Sequence, residues 1–213
     1  MEFVDFDRLQ WELPALSRSF ERKPFRFIVI DDFLKKDEAE KILAAYPSTT
    51  DGAWDHTTYV DQRNKFQKTK FESGSLFDRL FMELNSGKLL DWLNALSGIG
   101  PIIADPGLFG GGLHQSTKGA FLNVHVDYNI HPVTRHHRRM NLLVYLNKDW
   151  KEEYEGRLEL WDMSEKKQIA DIAPLFNRCV IFETNEVSFH GHPKPLNTPE
   201  GVSRKSVATY YYT

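Results

Sequence analysis

The chain has almost no cysteine: Cys179 is the only one. No intrachain disulfide can form, and a cysteine-based zinc site is excluded. Cys179 lies in the apolar run Arg178-Cys179-Val180-Ile181-Phe182, so it reads as a small buried hydrophobe rather than a reactive thiol. An excess of charge of one sign is missing too. The net charge is −3 and the pI is about 6.2, so neither nucleic acid nor an anionic membrane is expected as a partner. No long apolar run occurs, and Met1-Glu2-Phe3-Val4-Asp5 carries acidic residues, so neither a signal peptide nor a membrane span is expected. These absences make the reducing cytoplasm the expected location. Internal repeats and low-complexity linkers are absent. Gly110-Gly111-Gly112 has no strand–helix context for cradling phosphate, and no Ser/His/Asp nucleophile set is evident.

What is present suits one domain. A chain of 213 residues, 41% hydrophobic and 27% charged, can bury a substantial core. The first twenty residues are mixed and are expected to lie along the surface. Pro24–Leu34 reads as a buried strand running into a turn. Asp37 is placed to cap a helix reaching Tyr46, with Ala39, Ile42, Leu43 and Tyr46 on one face and Pro47 ending it. Residues 48–70 are polar and poorly patterned, a loop with short strands. Helical spacing of Leu and Phe predicts helices over Leu76–Asn85 and Lys88–Leu96, with Trp92 in their shared core.

After Gly98 the texture changes to short apolar runs divided by Gly, Pro, Asn and Asp. They are Gly112–Gln115, Phe121–Asp127, Met140–Asn147, Arg157–Trp161, Gln168–Ile172, Arg178–Thr184 and Lys205–Tyr212. Such spacing indicates a β-sandwich or jelly roll. The expected fold is therefore α+β, mainly β. Residues 1–98 would form a helical support with an opening strand, and residues 99–213 the barrel.

The candidate chemistry sits in that second half. His125-Val126-Asp127 places an imidazole and a carboxylate two positions apart, hence on one face of a strand. With eight histidines in the chain, about half a His-x-Asp pair is expected by chance, so the motif needs company. Ser188-Phe189-His190-Gly191-His192-Pro193 presents two further imidazoles beside Gly and Pro, in a segment that reads as a rigid turn at a barrel mouth. Two imidazoles with one carboxylate form the facial set that non-haem iron(II) oxygenases use, leaving metal positions open. Further on, Arg204 and Ser206 share a face of the last strand while Lys205 points the other way. An arginine fork beside a hydroxyl suits bidentate binding of a carboxylate.

In their order, His125-Val126-Asp127, His190 and Arg204-Lys205-Ser206 resemble the iron(II)- and 2-oxoglutarate-dependent oxygenases, in the prolyl-hydroxylase-like branch. Tyr145-Leu146-Asn147-Lys148-Asp149-Trp150 followed by Glu155-Gly156-Arg157-Leu158-Glu159-Leu160 is similar to a strand–turn–strand of the oxygen-sensing prolyl hydroxylases. The resemblance covers about residues 24–213. Its paired glycine appears here as Glu155-Gly156. It implies a double-stranded β-helix with His125, Asp127 and His190 as ligands of Fe(II). His192 competes with His190 for the distal position; the family's usual His-Gly pair favours His190 and leaves His192 as a neighbouring or substrate-facing group.

The resemblance further implies that Arg204, Ser206 and Tyr145 hold 2-oxoglutarate, with O2 as the second co-substrate and ascorbate as reductant. Asn123, Asn141 and Arg138 are candidate pocket residues, Arg138 belonging to the basic stretch His131–Arg139 that would form a lip selecting an anionic substrate. The activity implied is hydroxylation of an unactivated C–H bond, with 2-oxoglutarate leaving as succinate and CO2. A prolyl residue of a peptide or protein is the leading substrate, and a free amino acid or other metabolite is the alternative. A catalytically silent jelly-roll binding protein is the reading from a different class.

Overall fold

The computed structural model describes residues 2–50, 54–56 and 62–213. Its helical part holds α1 (Phe6–Phe20), α2 (Lys36–Ala44), α3 (Leu76–Leu84) and α4 (Gly87–Ser97). The strands are β1 (Phe27–Ile30), β2 (Asp55–His56), β3 (Gln62–Lys68), β4 (Ile103–Ala104), β5 (Gly112–His125), β6 (Arg138–Tyr145), β7 (Leu158–Asp162), β8 (Lys167–Ile172), β9 (Arg178–Glu183), β10 (Phe189–His192) and β11 (Arg204–Tyr212). No helix among the described residues is long and apolar enough to cross a membrane.

Local chemistry sets the helix ends. The Ser75 and Ser86 side chains accept from the backbone N–H of Asp78 and Leu89, each cap contributing about 1 kcal/mol. Gly98, with φ 66°, closes α4 in the left-handed conformation. The first twenty residues, expected to lie along the surface, do so as helix α1, which the sequence pattern did not predict. Asp5 caps it by accepting from Arg8 N–H, and Phe6, Leu9 and Phe20 anchor its inner face despite Pro14. Asp37 lies in the first turn of α2 rather than at its cap, which is Lys35.

All strand pairings are antiparallel, in the order β1-β9-β6-β11-β5-β10-β7-β8, with β3 along the other edge of β5. Strand β5 is one long element where two shorter ones were expected. Its first half pairs with β11 (Ser206↔His114, Arg204↔Ser116), and its end pairs with β10 (His190↔His125, His192↔Leu122). One strand thus feeds both walls of the curled sheet, the double-stranded β-helix expected from the sequence.

Two cores follow from period-2 alternation. Leu142, Val144, Cys179 and Ile181 join Leu9, Ile42, Leu80 and Trp92 between sheet and helices. Tyr145, Val180 and Phe182 join Phe27, Leu158, Leu160 and Ile172 inside the barrel. Buried on both faces, β6 and β9 read as near-continuous apolar runs. Trp92 donates its indole N–H to Leu9 O at 3.1 Å, as a core residue should.

The segment around His190 was expected to be a turn, and it is a strand. β10 pairs with β5 on one side and β7 on the other. Gly191 makes this feasible: a Cβ there would lie 2.7 Å from Leu122 O and 2.8 Å from Asn123 O, so only glycine lets the two backbones approach.

Candidate active site

Three strands build the floor of the site by simple register. Ser206 faces Tyr145 on β6 and His114 on β5, Ala208 faces Leu143, and Tyr210 faces Asn141. The inward row therefore reads Asn141, Leu143, Tyr145 on one strand and Tyr210, Ser206, Arg204 on the next. Lys65 of β3 continues it, opposite Ser116, which in turn pairs with Arg204. These side chains, with Leu122, Leu158, Phe182, His190 and His192, enclose a cavity of about 90 Å³.

At one end, His125, Asp127 and His190 bring one donor atom each to within 4.8 Å of one another. His125 Nε2 lies 3.6 Å from Asp127 Oδ1, and His190 Nε2 lies 3.4 Å from Asp127 Oδ2. Both rings are clamped from behind: Nδ1 of His125 is 2.7 Å from Asn123 O, and Nδ1 of His190 is 2.9 Å from Ser188 O. A carbonyl only accepts, so each Nδ1 carries the proton and each Nε2 presents its lone pair to the cluster. That arrangement fits a divalent ion, as metal-bound histidines donate their other N–H in this way.

Asp127 is kept ionised by its surroundings. Burial pushes its pKa up, but Arg138 Nη2, 2.9 Å from Oδ2, and other neighbours outweigh this and hold it well below the usual carboxylate range. Asn141 Nδ2 donates to the same Oδ2 at 2.7 Å, while Arg138 Nε donates to Asn141 Oδ1 at 2.8 Å. Burial lowers His190 to about 4, so it is neutral at pH 7 and Arg138 is the cation that matters. Burial opposes charge on His125 as well, yet the neighbouring Asp127 carboxylate and the Asn123 carbonyl raise it. Arg138 itself is sandwiched by aromatic rings, with its Cζ 3.5 Å from the Tyr210 centroid and 4.7 Å from that of Tyr128.

At the other end of the cavity, Arg204 Nε donates to Gly156 O at 2.7 Å and Nη2 to the Tyr145 hydroxyl at 3.1 Å. Arg204 and Ser206 both line the cavity, and a guanidinium beside a hydroxyl has the chemistry to bind a carboxylate. Lys205 faces away, into a separate hollow of about 620 Å³ with Gln115, Lys118 and Ser203, behind the β5–β11 wall. That hollow is the larger of the two, but it holds none of the clustered ligands.

Beyond the cluster the cavity opens into a groove of about 510 Å³ lined by Lys65, Gln67, Phe109, Gly110, Leu122, Tyr128, Arg138 and Tyr210. Phe109 and Tyr128 meet edge to face at 5.8 Å and form an apolar shelf.

The structure thus gathers His125, Asp127, His190, Tyr145, Arg204, Ser206, Asn141 and Arg138 in one place. His192 also enters the cavity, next to Arg204 rather than in the cluster; burial and then the Arg204 charge hold it well below its ordinary pKa, and its Nδ1 has no hydrogen-bond partner among the described residues. Asn123 does not enter. Two residues lie between Leu122 and His125 where β10 has one between His190 and His192, so β5 bulges and turns the Asn123 side chain to solvent, leaving its carbonyl as the histidine clamp. Within the basic stretch, Arg138 and His131 are turned inward while Arg135, His136, His137 and Arg139 stay exposed. Sequence reading missed Tyr210, which shares the face of Arg204 and Ser206 by alternation. It also missed Lys65, whose polar segment shows no pattern.

Residues 111–212 match the model of the 2OG-Fe(II) oxygenase superfamily. A prolyl 3-hydroxylase of Mus musculus is 33% identical over 79 residues, 35% of this chain and 14% of that protein. The chain therefore spans only about a seventh of that relative. Among solved structures, a prolyl hydroxylase from Trichoplax adhaerens, in complex with a hypoxia inducible factor oxygen degradation domain peptide fragment, superposes with a TM-score of 0.67. Its identity is 18%, over 97% of this chain and 91% of its own. A Pseudomonas putida prolyl-4-hydroxylase gives a TM-score of 0.64 at 19% identity, covering 94% of this chain and 98% of its own. At these identities the likeness is one of fold.

Proposed function

We propose that the chain is a member of the 2OG-Fe(II) oxygenase superfamily, whose model matches residues 111–212, and that it hydroxylates a prolyl residue in a peptide or protein. The observation that carries this is the junction of a clamped His125–Asp127–His190 cluster with an open groove of about 510 Å³ whose wall is the Phe109–Tyr128 shelf. A flat, rigid prolyl ring suits such a shelf, and an open groove admits a chain passing through it. The mouse relative and the two solved relatives are all named prolyl hydroxylases, which supports the same reading.

In this proposal His125, Asp127 and His190 hold Fe(II), and Arg204, Tyr145 and Ser206 hold the far carboxylate of 2-oxoglutarate. Fe(II) with 2-oxoglutarate and O2 supplies the oxidising chemistry, in which one oxygen atom goes to the substrate and the co-substrate leaves as succinate and CO2. The protein's contribution is placement. The backbone carbonyls of Asn123 and Ser188 fix both imidazoles, Arg138 and Asn141 keep Asp127 anionic, and Leu122, Leu158 and Phe182 exclude water around the co-substrate. Ascorbate as reductant and a cytoplasmic setting belong to the same proposal.

The test is incubation of the full chain with Fe(II), 2-oxoglutarate, ascorbate and a library of prolyl peptides, followed by mass spectrometry and succinate measurement. A gain of one oxygen on proline with matching succinate supports the function. No oxygen gained on any prolyl peptide overturns it.

A further inference from the structure

Lys65 is the one described side chain at the junction of cavity and groove whose charge has no answer. It lines both spaces, together with His125, Asp127, Leu122 and Tyr210. Its strand position is fixed opposite Ser116 by the β3–β5 register. The ammonium makes no hydrogen bond or ion pair among the described residues, although it is half-buried. Burial pushes its pKa down to about 8, with Asp127 working against that shift and Arg204 and Arg138 adding to it.

The charges around it can be matched one by one. Arg138, the other cation of the groove, is paired with Asp127 at 2.9 Å. Arg204 faces the far end of the cavity, bonded to Gly156 O and Tyr145. A lysine left unmatched in a cleft costs desolvation without return until an anion arrives. Its flexible stem can reach into the groove, where the reacting part of the substrate must lie.

We infer that Lys65 binds a carboxylate of the primary substrate beside the hydroxylated residue, so that the preferred substrate is an acidic peptide with Asp or Glu adjacent to the target proline. This rests on the prolyl-hydroxylase reading of the same site. It moves the selection of anionic substrates from the exposed basic lip to a single inward cation.

Matched peptides carrying Glu-Pro against Gln-Pro, and Pro-Glu against Pro-Gln, test it. Binding is measured by titration calorimetry on the full chain loaded with Mn(II) and 2-oxoglutarate, for wild type, Lys65→Met, Lys65→Gln and Lys65→Arg. In parallel, turnover gives the KM for 2-oxoglutarate. Wild type is expected to favour one acidic member by about tenfold or more, the scale of a charge-assisted hydrogen bond. Either neutral variant should bring that ratio to within about twofold, and Lys65→Arg should retain most of it. Two results overturn the inference: equal treatment of acidic and neutral peptides by wild type, or a preference that survives in the neutral variants. A raised KM for 2-oxoglutarate with the preference intact would assign Lys65 to the co-substrate instead. Discrimination lost with Lys65 but no oxygen gained on proline would uphold the anion site and sink the prolyl reading, so the two failures are distinct.

Discussion

Gly191→Ala tests whether the candidate metal cluster depends on the close approach of β10 to β5. The added Cβ would lie 2.7 Å and 2.8 Å from the carbonyl oxygens of Leu122 and Asn123, against an ordinary contact distance starting at 3.4 Å. The shortfall is 0.7 and 0.6 Å (3.4 less 2.7 and 2.8), and both partners are backbone, so the strands themselves must part. Functional constellations tolerate displacements of only about 0.5 Å. His190 is the adjoining residue and pairs directly with His125, so the opening is transmitted to two of the three ligands. Overpacking costs about 1–3 kcal/mol, a fall in Tm of roughly 2–12 °C for a domain of this size. Co(II) titration, thermal melting and succinate formation are to be compared with Ile42→Val, a variant in the helix-side core far from the cluster that loses about 0.5–1.5 kcal/mol. Metal affinity in Gly191→Ala should drop about tenfold or more, and that of Ile42→Val should not change. If Gly191→Ala binds metal and turns over like wild type while melting earlier, strand approach does not set the site and the reasoning fails.

Replacing Asn141 by Ala removes the donor to Asp127 and the acceptor for Arg138 together, so metal affinity should fall about 10–100-fold, read by titration, with turnover recovering at high Fe(II). Arg138→Met leaves Asp127 buried and unpaired and should cost about 3–5 kcal/mol in denaturant unfolding at neutral pH. Because folding depresses the Asp127 pKa, its contribution is present above the ordinary value of 3.8 and is lost as pH falls toward the folded value; the gap between wild type and Arg138→Met should therefore narrow on acidification. Arg204→Ala should raise the KM for 2-oxoglutarate while Co(II) titrates as in wild type; equal loss of metal would show that the co-substrate receptor lies elsewhere. Mn(II) at 100 times its Kd should stabilise wild type by about 2.7 kcal/mol in a melt, and Asp127→Ala should show no such response.

Much of this arrangement is legible from the chain because alternation is reliable inside paired strands. Arg204 and Ser206 on one face with Lys205 on the other follow from period 2 alone, and so does the Asn141–Leu143–Tyr145 row once β6 is recognised. Legibility ends where the backbone departs from regularity. Asn123 should face inward with His125, but a bulge between Leu122 and His125 shifts the phase, and a bulge has no signature in side-chain pattern. Gly191 and Pro193 suggest a turn because both weaken strands. Here the glycine marks the place where another backbone comes close. Pro14 and the mixed residues around it conceal α1, whose few apolar anchors become meaningful only against the sheet. Lys65 is concealed for the opposite reason: apart from Phe66, which packs against the helix-side core, its strand is polar, so little in the sequence announces which side looks into the barrel.

The clamps behind His125 and His190 have a consequence for which ion the cluster takes. Both imidazoles are oriented by backbone carbonyls, and Asp127 is held by Arg138 and Asn141, so the protein's own bonds fix all three donors. Such a socket loses little entropy on loading and can be emptied and refilled without refolding. It has correspondingly little capacity to reshape itself around a favoured ion. Nickel, copper and zinc outrank iron(II) in intrinsic affinity for nitrogen and oxygen donors. A rigid socket with three donors leaves that order standing, so occupancy by iron is decided by which metals the surroundings supply.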